Sequence, residues 1–226
     1  MNNLRSIPFA VLAIVVAVWV AAVPALAAPP FKLVRVGTFT APLAVARPPG
    51  ATADLWVVQK GGQIVVVHSG TVRTTKALDI TQLVSRDAEQ GLLGLAFPPD
   101  FQSSHLAYVT YTDRSNAIVL TEYGESGGVL DRATARTVMR FPKSRLDHNG
   151  GTIRFGPDGF LYMGLGDGGT GPSGNPGDPD NNAQRLDSPF GKVLRIDPRR
   201  SGDSAYTVPV DNPFVLTAGA MPEVWA

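Results

Sequence analysis

From Phe31 onward, short runs of β-branched and aromatic residues alternate with Gly, Pro, Asp and Asn. Their alternating polarity and turn-forming borders predict strands at Phe31–Val36, Asp54–Gln59, Gln63–His68, Leu92–Phe97, Leu106–Thr112, Ile118–Tyr123, Gly151–Phe155, Phe160–Gly164 and Lys192–Ile196. An apolar period of 3.6 residues nowhere persists for three turns; its nearest approach is a weak pattern between Asp131 and Met139. The predicted class is all-β.

A degenerate repeat runs through these strands. Leu55-Trp56-Val57-Val58, Leu106-Ala107-Tyr108-Val109 and Phe160-Leu161-Tyr162-Met163 each join a large apolar residue to an aromatic one, and each follows a turn-forming stretch. The anchors Trp56, Tyr108 and Tyr162 are 52 and 54 residues apart. A period near 50 with about four strands per unit is that of a β-propeller blade, which buries its faces only against its neighbours. A β-sandwich has strands of similar length and stays open on spacing alone. The aromatic period favours the propeller. Pro157-Asp158-Gly159 predicts a tight hairpin inside one blade, because Asp-Gly tolerates positive φ.

Residues 1–27 join a short polar start containing Arg5, an apolar run from Ile7 to Val23, and Ala25-Leu26-Ala27. This is the pattern of a secretory signal peptide cut after Ala27, with residues 28–226 as the mature domain. An uncleaved anchor is the alternative, since the run is near the lower limit for a bilayer span. No basic stop-transfer cluster follows, which favours cleavage. The expectation is a secreted or periplasmic protein without stable membrane insertion. Composition narrows the partners. With 20 Lys and Arg against 19 Asp and Glu, the chain lacks the basic surplus of a nucleic-acid binder. Having no Cys, it has no disulfide framework, thiolate nucleophile or Cys-ligated metal.

Three stretches hold candidate chemistry. His68 and His105 read as solvated turn residues, but His148 stands in Asp147-His148-Asn149-Gly150-Gly151, where two glycines allow a sharp turn into a strand. Such a turn projects an imidazole at the strand end, as a proton acceptor near neutral pH. Equally, Asp147 and Asn149 could simply cap a hairpin. The second stretch is the long glycine-rich loop from Gly164 to Gln184. Pairing of strands 151–155 and 160–164 puts Asp167 at the same end as His148, and a carboxylate there fixes the imidazole's tautomer and strengthens it as a base. Gly164-x-Gly166-x-x-Gly169 lacks the helix of a dinucleotide site. Asp178-x-Asp180-x-Asn182 lacks the Gly and Glu of an EF-hand, leaving a looser calcium site through Asp178, Asp180 or carbonyl oxygens open. The third stretch, Asp87 to Phe101, carries Gln90 at the mouth of a buried strand. Its amide can face a polar ligand or be an ordinary loop group.

In combination, Gln90-Gly91-Leu92-Leu93-Gly94-Leu95-Ala96-Phe97, Pro99-Asp100-Phe101, His148-Asn149-Gly150-Gly151, Phe155-Gly156-Pro157-Asp158-Gly159, Gly166-Asp167-Gly168-Gly169, Asn182-Ala183-Gln184 and Gly191-Lys192-Val193-Leu194-Arg195-Ile196-Asp197 resemble the soluble quinoprotein glucose/sorbosone dehydrogenase family. The resemblance implies a six-bladed β-propeller that binds pyrroloquinoline quinone (PQQ) and calcium and oxidises an aldose sugar or aldehyde, passing electrons to an external acceptor. It makes His148 the general base, Asp167 the carboxylate that orients it, and Gln90 a substrate contact. In the family, the cofactor and calcium ligands follow a Pro-Glu-x-Trp-Ala stretch, here Pro222 to Ala226, so they are expected beyond Ala226. At about 50 residues per blade, this chain is expected to supply three to four blades. The alternative is a non-catalytic extracellular propeller that binds a glycan or a partner protein. A glycosidase built on Asp167 is weaker, because no motif places a second acid.

Overall fold

The computed structural model describes residues 31–170 and 177–226, so the segment 1–27 lies outside the described residues. Among the described residues no helix is long and apolar enough to cross a membrane. Arg35–Ala226 form one folding unit, whose described strands make three antiparallel sheets.

The first sheet orders β1 (Pro42–Ala46), β2 (Asp54–Gln59), β3 (Gln63–His68) and β4 (Thr71–Val72), with β5 (Leu78–Asp79) also paired to β3. The second orders β6 (Leu92–Ala96), β7 (Leu106–Thr112), β8 (Ala117–Ser126) and β9 (Val129–Pro142), with a four-residue helix, α1 (Phe101–Ser104), between β6 and β7. The third orders β10 (Gly150–Phe155), β11 (Leu161–Leu165) and β12 (Val193–Ile196). Glu223–Ala226 lies along the free side of β12, where Trp225 N–H donates to Val193 O at 2.8 Å and Arg195 N–H to Glu223 O at 2.8 Å. The first strands of successive sheets touch, β1 against β6 and β6 against β10. These are propeller blades stacked by their faces around a shared inner edge.

Burial explains the sequence pattern. In β7, Ala107, Val109 and Tyr111 pack with Trp56, Val58 and Ile64 of the first blade. On the opposite face, Tyr108 packs with Ile153, Leu161 and Met163 of the third. A strand covered on both faces reads as a continuous apolar run. Trp56, Tyr108 and Tyr162 occupy the second strand of their blades, and the first two face the next blade in the chain. Tyr162 points away from the Leu161–Met163 face and meets the Trp225 ring edge-on at 5.9 Å. The aromatic period is therefore a blade period.

Most predicted strands appear within one or two residues of their expected bounds. Phe31–Val36 does not: it forms no strand, and Phe31 and Leu33 are 91% and 99% exposed. The first strand is instead Pro42–Ala46, which bends at a register shift between Pro42 and Ala44. The weak helical pattern at Asp131–Met139 belongs to β9. Two register shifts against β8 put its faces out of phase, and this hides the period of two.

Blades two and three come closest at glycines. A Cβ on Gly94 would lie 2.6 Å from Thr110 Oγ1 and 2.8 Å from Gly151 O, whereas one on Gly164 would meet nothing within 4 Å. Gly94→Ala should lower the unfolding free energy by about 2 kcal/mol, because the inner strands must part. Gly164→Ala should change it by less than about 0.5 kcal/mol. Urea denaturation of the two variants checks this contrast.

Candidate active site

The loop 143–149 and the turn 166–169 leave the same end of the β10–β11 hairpin. Their main chains continue the ladder: Gly166 N–H donates to Asn149 O and Gly168 N–H to His148 O, both at 3.2 Å. His148, Gly150 and Gly151 have φ of 53°, 65° and 92°. A left-handed histidine costs about 1–2 kcal/mol, so its surroundings must hold it there. A register shift between Gly150 and Thr152 re-aims the chain where it enters β10.

This geometry brings together the two residues that the hairpin argument paired. His148 Nδ1 lies 2.7 Å from Asp167 Oδ1, and the two side chains are 28% and 25% exposed. An ionised carboxylate only accepts, so Nδ1 carries the hydrogen, and in the neutral ring the lone pair is then on Nε2. Asp167 is fixed in turn, its Oδ1 accepting Gly169 N–H at 2.8 Å and its carbonyl accepting Asn182 Nδ2 at 2.9 Å. Next to His148, Asn149 is buried and donates to Leu146 O at 2.7 Å, while its Oδ1 has no partner.

Gln90, expected as a substrate contact, has its amide engaged within the protein. It is 1% exposed, its Oε1 accepts from Ser85 Oγ and its Nε2 donates to Asn116 Oδ1. Its exposed neighbour Glu89 reaches the site instead, accepting His148 N–H through Oε2 at 2.8 Å. The chain turns here, with Ala88 at φ 45° and Gln90 N–H on Asp87 O at 2.8 Å, and so sends adjacent side chains opposite ways. The motif carried Glu89, but a one-dimensional reading has no way to choose between the two faces of a turn.

Asp178 and Asp180, weighed in the sequence as calcium ligands, make contacts within the protein. Asp178 accepts the N–H groups of Asn182 and Ala183 at 2.9 Å, capping a 3-10 turn at Asn182–Gln184, and Asp180 pairs with Arg145. Among the described residues no three His, Asp or Glu side chains gather to hold a metal ion.

Two lysines to which the sequence assigned no role, Lys192 and Lys143, shape the loops. Lys192 is 5% exposed and donates to Asn182 O, Ala183 O and Phe190 O at 2.7, 3.0 and 3.2 Å. Burial pushes its ammonium below the ordinary lysine range, against the pull of Asp178 and Asp187. Lys143 is half-buried and donates to the carbonyls of Arg145 and Asp147. An open cavity of about 670 Å³ beside the 166–169 turn is lined by Lys143, Arg145, Gly168, Asn182, Arg185 and Phe190, among others. Its cations are all engaged, Arg185 by Asp187 at 2.9 Å, Arg145 by Asp180 and Lys143 by main-chain oxygens. A multiply charged anion would have to displace these partners. In this cavity the three named cations therefore offer no uncommitted charge to the carboxylates of a quinone cofactor.

The three described sheets have the strand order and face-to-face stacking of β-propeller blades. A sequence profile of the Glucose / Sorbosone dehydrogenase family matches residues 39–226, and the chain belongs to that family. It is 32% identical to Aldose sugar dehydrogenase YliI of Escherichia coli (strain K12), over 73% of this chain and 44% of that protein. It is 30% identical to Hedgehog-interacting protein of Homo sapiens, over 76% of this chain and 26% of that protein. Among solved structures, the PQQ-bound form of Aldose Sugar Dehydrogenase from Streptomyces coelicolor superposes with a TM-score of 0.63 at 34% identity, over 87% of this chain and 55% of that one. The chain thus spans about half or less of the length of these relatives.

Replacing Asp167 with Ala should release the ring hydrogen from Nδ1 and let Nε2–H become the main neutral tautomer. Long-range proton–nitrogen NMR spectra report this directly, and only three histidines need assignment. An unchanged Nδ1–H population would mean that the carboxylate does not set the tautomer.

Proposed function

We propose that the chain carries the proton-accepting part of a PQQ-dependent aldose or aldehyde dehydrogenase. The observation that carries this reading is the His148–Asp167 pair, held at 2.7 Å on a left-handed backbone turn, with Nε2 left as an acceptor. In this role His148 takes the proton of a sugar hydroxyl, at the anomeric carbon of an aldose, while Asp167 orients the ring and stabilises the imidazolium that forms. PQQ, when bound, supplies the acceptor for the hydride, and an external acceptor then takes the electrons. Likeness to the PQQ-bound aldose sugar dehydrogenase supports the quinone, and calcium is carried over from the family resemblance. Export through the 1–27 segment and a periplasmic or secreted location complete the reading. Glu89, exposed and beside the base, takes the place beside the substrate that Gln90 was expected to fill.

Similarity to Hedgehog-interacting protein favours a second reading, a non-catalytic propeller that binds a partner. One substitution separates the two. With PQQ and calcium supplied, the full-length protein should reduce a dye in the presence of aldoses, and His148→Ala should lower kcat by about 10²- to 10⁴-fold while leaving the fold intact. No dye reduction by any aldose or aldehyde despite bound PQQ would overturn the enzymatic reading in favour of the binding one.

A further inference from the structure

Loop 143–148 delivers His148 to the site, and side chains outside the imidazole–carboxylate pair hold it. Lys143 Nζ donates to the carbonyl oxygens of Arg145 and, at 2.7 Å, of Asp147. Asn116 Nδ2 donates to Lys143 O and Arg145 O, at 2.9 Å each. Asn116 is itself fixed, with φ at 69° and its Oδ1 bonded by Gln90. Glu89 Oε2 accepts His148 N–H at 2.8 Å.

Two of these contacts meet on one peptide. The Asp147 carbonyl and the His148 N–H belong to the same planar unit, so an ammonium grips one end and a carboxylate the other. A planar unit held at both ends cannot rotate without losing a charge-assisted bond at each. Its orientation sets ψ of Asp147 and φ of His148, the angle that is strained.

We propose that Lys143 and Glu89 clamp the Asp147–His148 peptide from its two ends, and that Lys143 is thereby a positioning residue that holds the base in its working conformation without touching substrate. The consequence for turnover rests on the reading of His148 as the base; the clamp itself does not. Lys143 is also the end of the clamp that titrates near neutrality. Burial pushes its ammonium down to about 8, against the pull of Asp147 and Glu89 and, from the turn after β11, of Asp167, while Arg145 pushes the same way as burial. Below that pH the ammonium is charged and the clamp complete; above it, the carbonyl end holds only a neutral amine. Turnover should therefore fall along an alkaline limb near pH 8, set by the loop.

The test compares Lys143→Met and Lys143→Arg with the unsubstituted protein. In dye reduction with PQQ and calcium, Lys143→Met should lower kcat about tenfold or more, leave KM within about twofold, and lose the alkaline limb. Lys143→Arg, which stays charged, should restore most of kcat and move the limb to higher pH. Independently of activity, hydrogen exchange at the His148 amide should be about tenfold faster in Lys143→Met than in the unsubstituted chain. Exchange in β7 and β8, which reports folding, should be unchanged. An unaltered kcat and limb, or an unaltered His148 amide with β7 and β8 intact, would overturn the proposal. If His148→Ala turns over normally, the reading of His148 as base fails, and the amide measurement still decides the clamp.

Discussion

The close approach of β6 to β10 governs the rest of the structure. Gly94 and Gly151 let two inner strands come near enough for Thr110 Oγ1 to bond Gly151 O across the blade boundary. Through that contact, blades two and three are set as one piece. Glu89 lies three residues before the start of β6, and His148 two residues before the start of β10. Fixing the two strands therefore fixes the distance between the carboxylate on one loop and the N–H it accepts on the other. Packing of apolar faces could be achieved with the blades slid by a residue; this hydrogen bond and the missing side chains cannot tolerate the slide. The site inherits its precision from the blade contact, since its own loops have little apolar surface to pack.

Buried cations provide the remaining rigidity, and they do so by serving the main chain. Lys192 closes the loop after β11 through three carbonyls, and Lys143 closes the loop before β10 through two. Arg195 plays a related part in the third blade. Its guanidinium lies between the rings of Phe160 and Trp225, 4.5 and 4.6 Å from their centroids, and pairs with Asp158 and Asp211. Each positive charge lost its water on folding and regained partners in the protein, so removing one partner leaves an unpaired charge. Loops rich in Gly, Asn and Asp have few apolar anchors, and ammonium–carbonyl contacts hold them where packing cannot. This also explains why an apparently basic cavity near the site offers no uncommitted cation among those named.

How far the fold was legible depended on whether a segment's partners were encoded nearby. The β10–β11 hairpin was legible because Asp158-Gly159 and the alternating strands around it agree, and its ladder then fixed His148 beside Asp167. Phe31–Val36 has strand propensity but pairs with no strand among the described residues, whereas Pro42–Ala46, with a proline and two alanines, is recruited by β2. β9 was hidden because its bulges follow from pairing with β8, which no local period records. In the site, the residues named by type and strand end were found, and those defined by a turn's rotation were not. The left-handed Ala88 decides that Glu89 faces His148 and Gln90 faces Ser85 and Asn116. Lys143 reads in one dimension as a surface lysine, and only the folded loop shows it gripping backbone.

A second histidine–carboxylate pair sharpens what is distinctive about the first. His68 Nδ1 lies 2.6 Å from Asp54 Oδ1, at the opposite end of its blade. These two residues are direct cross-strand neighbours in the regular β2–β3 ladder, and the His68 side chain is 51% exposed. Such a pair arises wherever a histidine and an aspartate face each other on a solvated strand end, and it asks nothing of the backbone. His148 reaches an equally short contact by another route. Its φ is left-handed, its peptide is held at both ends, and its carboxylate is fixed by a backbone N–H and an asparagine amide. A cap or a solvated pair would not need that expenditure of strain and supporting contacts. Strain of this kind survives only where surrounding interactions over-determine the conformation. The difference between the two pairs, more than the short distance they share, is what marks the 148 end of the hairpin as a built site.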